Sequence, residues 1–395
     1  VRFALFAAIA SALAFAASAL YRDDSYWGPR WAVDIKVYLA AGRAFLDGQP
    51  LYDVVVQSPL YGSMTYTYPP LPAGIFFAPL ALLPPTAAGL LWNALSLLAL
   101  AATIWITTGI AGLRSPTSRT AVTALALVLS FALVPVRVHL VAGQLNMLLL
   151  LLVMLDFRPD AGRLRGIGIG IAAGLKVTPL IFILYLAVTN QWRPARTAAL
   201  AFLGTIAVDL ILAPSDTVAY WTDLVLHSSR VGSVFDTPNQ SLAGVLSRFG
   251  QPTVLLPVVA VTALAGLLIA RRARSDFLGF SAAALTGLLV SPVSWEHHWV
   301  QVIPLLVWLA IRARGSPALA AVVAVTYAVF SIRFFSIVGI PESPPEPLPL
   351  SPPMALLTAV FPLVAVAFLA GLALTSRVPA DRIEPPARHR PEDPP

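Results

Sequence analysis

The 395-residue chain contains no cysteine, which excludes disulfides, thiolate metal sites and thiol nucleophiles. It is also short of charge. Asp, Glu, Lys and Arg make up 11% of residues, against about a quarter in soluble domains, too few to cover a water-soluble surface. Lysine is nearly absent: Lys36 and Lys176 stand alone, so the formal net charge of +7 rests on arginine. Nucleotide, protease and calcium signatures are missing as well. There is no Walker loop, no GxSxG elbow, no HExxH and no EF-hand loop. Hydrolysis of cytosolic nucleotides is therefore unsupported, and no span carries the string of charges that a proton relay needs.

Apolar sequence is abundant: 58% of residues are hydrophobic and the mean hydropathy is +0.79. The apolar stretches are continuous Leu, Ala and Val rather than alternating, so they read as helices long enough for lipid, at roughly 20 residues per crossing. Spans are expected near 3–20, 86–110, 120–136, 145–157, 197–213, 252–270, 277–290, 300–311, 317–333 and 353–375. Residues 71–83, interrupted by Pro79 and followed by Pro84 and Pro85, read as a re-entrant or interfacial piece. The expected fold is an all-α integral membrane bundle, with about 10–12 transmembrane helices and re-entrant segments. One polytopic domain would cover 1–375, followed by a Pro/Arg/Glu-rich disordered tail over 376–395. Arg2, the apolar stretch after it and Ala17-Ser18-Ala19 have the form of a secretory signal. An uncleaved first span fits the topology better.

Arginine in short loops sets the orientation. Arg114 and Arg119, Arg158 to Arg165, Arg193 and Arg196, Arg271 to Arg274, Arg312 and Arg314, and the tail after Arg377 form one set, assigned to the cytoplasm with both termini. The sequence pI near 10.0 then reflects these loops rather than nucleic-acid binding. The alternate loops, 21–70, 137–144, 214–251, 291–299 and 334–352, face outward from the cytoplasmic membrane. Residues 166–189 lie between two basic loops, so they go in and come back, with Lys176 near the tip between Gly174 and Pro179.

The outward loops hold the chemistry. Asp34 opens a helical pattern at the lipid–water boundary, with Val37, Leu39, Ala41 and Phe45 available to pack on the membrane. A partly dry carboxylate there suits a general base, and its plainer role is a helix cap. Ser291-Pro-Val-Ser-Trp-Glu-His-His-Trp299 brings His297 and His298 together at a helix end. They suit hydrogen bonds to a phosphate or a sugar hydroxyl, or belong to an interfacial turn anchored by Trp295 and Trp299. Arg137, His139, Gln144 and Asn146 form a third group, whose amides line a cavity or pair with another helix. Lys176 in a broken hairpin calls for an anion such as a lipid phosphate, unless it snorkels to headgroups. Asn239-Gln-Ser-Leu242, with Arg230 and Arg248, binds a polar acceptor or serves as a helix cap.

Taken in order, these clusters resemble glycosyltransferase family 87, a group of GT-C-type membrane enzymes. The resemblance rests on Asp34-Ile-Lys-Val-Tyr38, Gly48-Gln-Pro-Leu-Tyr52, Thr67-Tyr-Pro-Pro70, Gly143-Gln-Leu-Asn146, Gly174-Leu-Lys-Val-Thr-Pro179, Asn239-Gln-Ser-Leu242 and the 291–299 run. It implies a GT-C-like bundle and a sugar donor carried on polyprenyl phosphate. Mannose would pass to a lipid-linked glycan acceptor of the phosphatidylinositol mannoside or lipomannan type on the outer face. No resident cofactor is implied, and a divalent cation remains compatible with the residues present. The acid of the first outward loop, Asp34, is the expected base. Lys176, His297, His298, Arg137, Tyr38 and Tyr68 are expected at the donor phosphate and sugar. Gln144, Asn146, Asn239, Gln240, Trp31, Trp295 and Glu296 are expected at the acceptor or cavity wall. Transfer from an arabinosyl donor, or transport of a lipid-linked sugar, are the alternatives.

Overall fold

The computed structural model describes residues 33–58, 61–158, 160–344 and 350–375. The expected first span, its signal-like cleavage site, Trp31 and the tail from 376 lie outside them. The described chain is helical apart from one small hairpin, in which β1 (Val55–Ser58) pairs antiparallel with β2 (Gly62–Thr65).

Helix α1 (Val33–Leu46) precedes the hairpin, and α2 (Pro70–Leu80) follows it with a π-helical turn at Ala73–Phe77. Ile35, Val37, Tyr38 and Ala41 of α1 are buried, whereas Lys36 and Arg43 are exposed. Part of that apolar face meets protein instead of lipid: the Tyr38 ring stacks on Phe77 of α2 at 4.8 Å.

The bundle continues through α3 (Pro85–Ile110), α4 (Pro116–Ser130), α5 (Val134–Ala142) and α6 (Asn146–Asp156). It was expected to cross near 120–136, but α4 ends at Ser130 and the chain bends by 74° into α5. Pro135 sits in the first turn of α5, where its missing N–H is no loss and its fixed φ favours a fresh helix start. Next come α7 (Ile167–Leu175), α8 (Leu180–Val188), α9 (Trp192–Leu212), α10 (Pro214–Thr222) and α11 (Leu242–Arg248). The chain closes with α12 (Leu255–Arg272), α13 (Asp276–Val290), α14 (Val302–Arg312), α15 (Pro317–Ser331) and α16 (Val360–Thr375). The last expected span, 353–375, is two pieces, because a short helix at Pro352–Leu357 precedes α16.

By length and composition, α3, α9 and the stretch Pro252–Arg272 are able to cross a membrane, and α4 with α5 forms a fourth, bent candidate. Their outer faces are apolar: Leu98, Ile211 and Leu256 are 62%, 79% and 80% exposed. In water such a surface drives aggregation, and in lipid it faces its own solvent. The chain is thus an all-α polytopic membrane protein.

The in-and-back segment resolves into α7 and α8, nine residues each. Each is about 14 Å long at 1.5 Å per residue, half a hydrocarbon core. Gly170 and Gly174 lie four apart on α7 and face α9, where an added Cβ would overlap the Ala198 carbonyl and the Thr205 side chain. Small residues at this spacing let two backbones touch, which fixes α7 lengthwise and so fixes Lys176 just beyond its end.

The arginine-bearing loops meet one another. Arg165 pairs with Asp276, whose carboxylate also accepts from Tyr185 Oη at 2.5 Å and Gln191 Nε2 at 3.0 Å. The opposite set of loops converges on a single cavity.

Candidate active site

The cavity has a volume of about 570 Å³. Each of the five loops assigned to the side away from the arginines contributes to its wall, through Asp34 and Tyr68, Gln144, Arg230, His298 and Glu342. Lys176 joins them from the α7–α8 tip.

At its centre is an ordered chain of hydrogen bonds. Tyr38 Oη donates to Tyr68 Oη at 2.9 Å, and Tyr68 Oη donates to Gln144 Oε1 at 2.8 Å. That donation fixes which way the Gln144 amide points, so its Nε2 donates to Asp34 Oδ2 at 2.5 Å. Lys176 Nζ donates to Asn146 Oδ1 at 3.1 Å, to His298 Nε2 at 2.9 Å and, more weakly, to Tyr68 Oη at 3.4 Å. A carboxylate and an ammonium thus share one pocket, joined through Tyr68 and Gln144.

Backbone features hold these side chains in register. Gly143 ends α5 in the left-handed region at φ +76°, and a Cβ there would lie 2.8 Å from Ile35 Cβ. Only glycine lets the turn pack on α1, which brings Gln144 beside Asp34. Trp92 Nε1 donates to the Gly143 and Gln144 carbonyls, both at 3.0 Å, and Asn93 Nδ2 to the Leu140 carbonyl at 2.9 Å, so α3 clamps the same turn.

Burial raises the Asp34 pKa from 3.8 to about 6, while the Gln144 hydrogen bond and the Lys176 charge pull the other way. At neutral pH the carboxylate is mostly ionised and able to take a proton. Burial first, and the Lys176 charge second, hold His297 and His298 well below the usual histidine range, so both imidazoles are neutral; His298 Nε2 accepts from Lys176, which leaves His297 as the imidazole with a ring nitrogen open to substrate. The two rings meet edge-on with centroids 4.6 Å apart. His297 Nε2 is buried without a hydrogen-bond partner among the described residues, the type of group that a polar substrate satisfies. The pocket therefore combines a proton acceptor with donors and a cation suited to a developing anion.

The residues expected from the sequence divide into three groups. Asp34, Tyr38, Tyr68, Gln144, Lys176, Trp295, Glu296, His297 and His298 line the cavity, and Asn146 supports Lys176 directly. Arg137 donates to the Ser331 carbonyl at 3.0 Å and so fastens α15. Asn239 and Gln240 are buried braces rather than wall. Asn239 Nδ2 donates to the Val234 and Pro292 carbonyls, and its Oδ1 accepts from the amides of Ser241 and Ser294. Gln240 Nε2 donates to the Thr358 carbonyl at 2.8 Å and the Thr237 carbonyl at 3.1 Å.

Other members of the site had no sequence signal. Trp92 lies in an apolar run and reads as packing. Arg333 and Glu342 come from the stretch after residue 315, which carries no motif. Arg333 pairs with Glu296 at 2.5 Å and with Glu342 at 2.6 Å, closing the wall behind the histidines.

Known proteins share this sequence pattern. The profile of glycosyltransferase family 87 matches residues 66–292, a range that begins after Asp34. A polyprenol-phosphate-mannose-dependent alpha-(1-2)-phosphatidylinositol mannoside mannosyltransferase of Mycolicibacterium smegmatis is 38% identical over 315 residues, 72% of this chain and 70% of that protein. One of Mycobacterium tuberculosis with the same description is 31% identical over 375 residues, 89% of this chain and 87% of its own length. A polyprenol-phosphate-mannose-dependent alpha-(1-2)-phosphatidylinositol pentamannoside mannosyltransferase of Mycobacterium tuberculosis is 33% identical over 299 residues, 72% of this chain and 68% of that protein. With the profile over more than half the chain and relatives matched over most of their length, the chain belongs to glycosyltransferase family 87 and is a glycosyltransferase.

Proposed function

We propose that the protein transfers mannose from a polyprenyl-phosphate donor to a phosphatidylinositol mannoside acceptor on the outer face of the cytoplasmic membrane, with inversion and with Asp34 as general base. The observation that carries this reading is the Asp34–Gln144–Tyr68–Lys176 connection, a proton acceptor and an anion binder fixed in one cavity away from the arginine loops. The relatives' mannose-dependent activities favour mannose over arabinose as the donor sugar. The clustering of polar groups at one end of the bundle favours transfer over transport, which places its site near the midplane.

In the reaction, an acceptor hydroxyl oxygen attacks the anomeric carbon of a β-mannosyl phosphate. The bond from that carbon to the phosphate oxygen breaks, and the phosphate leaves with the electron pair. The hydroxyl proton passes to Asp34. Negative charge grows on the leaving oxygen, and Lys176, held by His298 and Asn146, supplies the compensating positive potential, with the His297 imidazole beside it as a donor. Tyr38 and Tyr68 line the cavity beside the sugar position, with their rings packed on Phe77 and on each other. The leaving phosphate bears its own charge, so neither a protein nucleophile nor a resident metal has to supply the driving force.

Purified protein with labelled polyprenyl-phosphate-mannose and a phosphatidylinositol mannoside tests this. Wild type is expected to give labelled product, and Asp34→Asn to lose at least about a thousandfold in kcat. The acid limb of kcat/KM in wild type should have its midpoint near 6. Equal turnover by Asp34→Asn would remove Asp34 as the base, and product formed only from an arabinosyl donor would replace mannose. Because burial disfavours the ionised form of Asp34, its folded pKa lies above the unfolded one, and the stability this gives at low pH is lost as pH rises through about 6. Asp34→Asn is therefore expected to melt no lower than wild type at neutral pH.

A further inference from the structure

Lys176, Arg230 and Arg333 line the cavity. Arg333 is neutralised by Glu296 and Glu342. Lys176 faces the Asp34 centre. Arg230 differs from both, because it has no ion pair among the described residues. Its guanidinium donates to the Tyr66 carbonyl at 3.3 Å and lies over the Tyr52 ring, 5.5 Å from the centroid. A carbonyl and a ring face orient a cation without cancelling its charge.

The loop that carries Arg230 is held in place. Gly232 has φ +133°, a conformation that L side chains rarely adopt, and a Cβ there would lie 2.7 Å from Trp295 Cζ2. Asp216 and Asp209 act on the Tyr52 ring that Arg230 covers, Asp216 while accepting from the Leu51 amide at 3.1 Å, and neither forms an ion pair with Arg230 among the described residues. Asp236 faces Ser343 and Arg248, and Asp223 faces His227 at 3.4 Å. Arg230 reaches the reaction centre through two rings, since Tyr52 Oη donates to the Tyr68 carbonyl at 2.9 Å while Tyr68 Oη touches Gln144. The cavity thus presents a second cationic position on a different wall from Lys176.

We propose that Arg230 anchors the phosphodiester of an anionic glycolipid acceptor, while Lys176 serves the phosphate of the donor. This rests on the mannosyl transfer proposed above. Two phosphates must approach one cavity without sharing a cation, and Arg is suited to the task because its planar fork binds two phosphate oxygens at once. The anchor holds the acceptor's lipid end at the Tyr52 wall and leaves its sugar end toward Asp34, so it also selects for acceptors with charge at that distance.

The test uses full-length protein in detergent, polyprenyl-phosphate-mannose, and two acceptors: a phosphatidylinositol mannoside and an uncharged alkyl α-mannoside. For Arg230→Gln, the ratio of kcat/KM between the anionic and the neutral acceptor is expected to fall by about 10- to 100-fold, with the KM for the donor unmoved. Arg230→Lys, which keeps the charge but not the fork, should restore only part of it. An equal loss with both acceptors would make Arg230 a shaping residue, a raised donor KM would assign it to the donor phosphate, and an unchanged ratio would remove it. Binding of the phosphatidylinositol mannoside, followed by native mass spectrometry, needs no turnover and should weaken in Arg230→Gln. Wild type that binds this lipid through Arg230 but transfers no mannose would sink the proposed reaction and keep the anchor. Wild type that transfers mannose while both variants bind as it does would do the reverse.

Discussion

Gln144 and Asn146 on one turn, and Asn239 and Gln240 on another, are amides of nearly the same burial, at 5%, 7%, 0% and 2% exposure. The first pair spends its hydrogen bonds on ionisable side chains, Gln144 on Asp34 and Asn146 on Lys176. The second pair spends them on backbone: the carbonyls of Val234, Pro292, Thr237 and Thr358 and the amides of Ser241 and Ser294. A buried amide calls for partners in either case, and each pair leaves one atom without any among the described residues, Asn146 Nδ2 and Gln240 Oε1. What differs is the nature of the partner. Backbone partners make the amide part of the frame, and ionisable partners make it part of the chemistry.

Mutation should separate the two pairs. Gln144→Leu removes the donor to Asp34 and the acceptor for Tyr68, and is expected to lower kcat by about a hundredfold. Because the Gln144 hydrogen bond lowers the Asp34 pKa, its loss should also move the acid limb of the rate profile to higher pH. A profile that stays in place would show that Gln144 does not act through Asp34. Asn239→Ala leaves two buried amides and two carbonyls without their partner, and should cost about 2–3 kcal/mol of stability, seen as a lower melting temperature. Its turnover per folded molecule should stay within a few-fold of wild type. Turnover falling as far as in Gln144→Leu would erase the distinction. Asn146→Ala should give the smallest effect of the three, about tenfold in kcat at unchanged melting temperature, because Lys176 keeps its His298 and Tyr68 contacts.

The same distinction explains how far the site could be read from the sequence. Asp34, Lys176, His297 and His298 stood out because charge and imidazole are rare in an apolar chain, and the structure brings all four to one cavity. Gln144 stood out for the same reason, but not its directed contact with Asp34, which depends on Tyr68 holding one end of the amide and on Gly143 letting the turn reach α1. Asn239 and Gln240 looked equally functional, and only their backbone partners reveal a brace. Trp92, Arg333 and Glu342 gave no sign. A tryptophan in an apolar span reads as packing, and an ion pair between residues 296 and 333 has no local signature.

The sequence by itself determined that the chain is helical and lies in a membrane, because lipid demands internally satisfied backbone and continuous apolar runs. Arginine placement set the expectation of which loops share a side, and the five loops assigned to the other side do meet at one cavity. The direction in which α5 leaves α4, 74° away after a break that Pro135 marks locally, was decided by tertiary packing. So was the partner of each buried amide and cation. Hydrogen bonds act over about 3 Å, and those of the Asp34–Lys176 network join residues 30 to 122 positions apart, so only the packed fold selects among so many possible pairs.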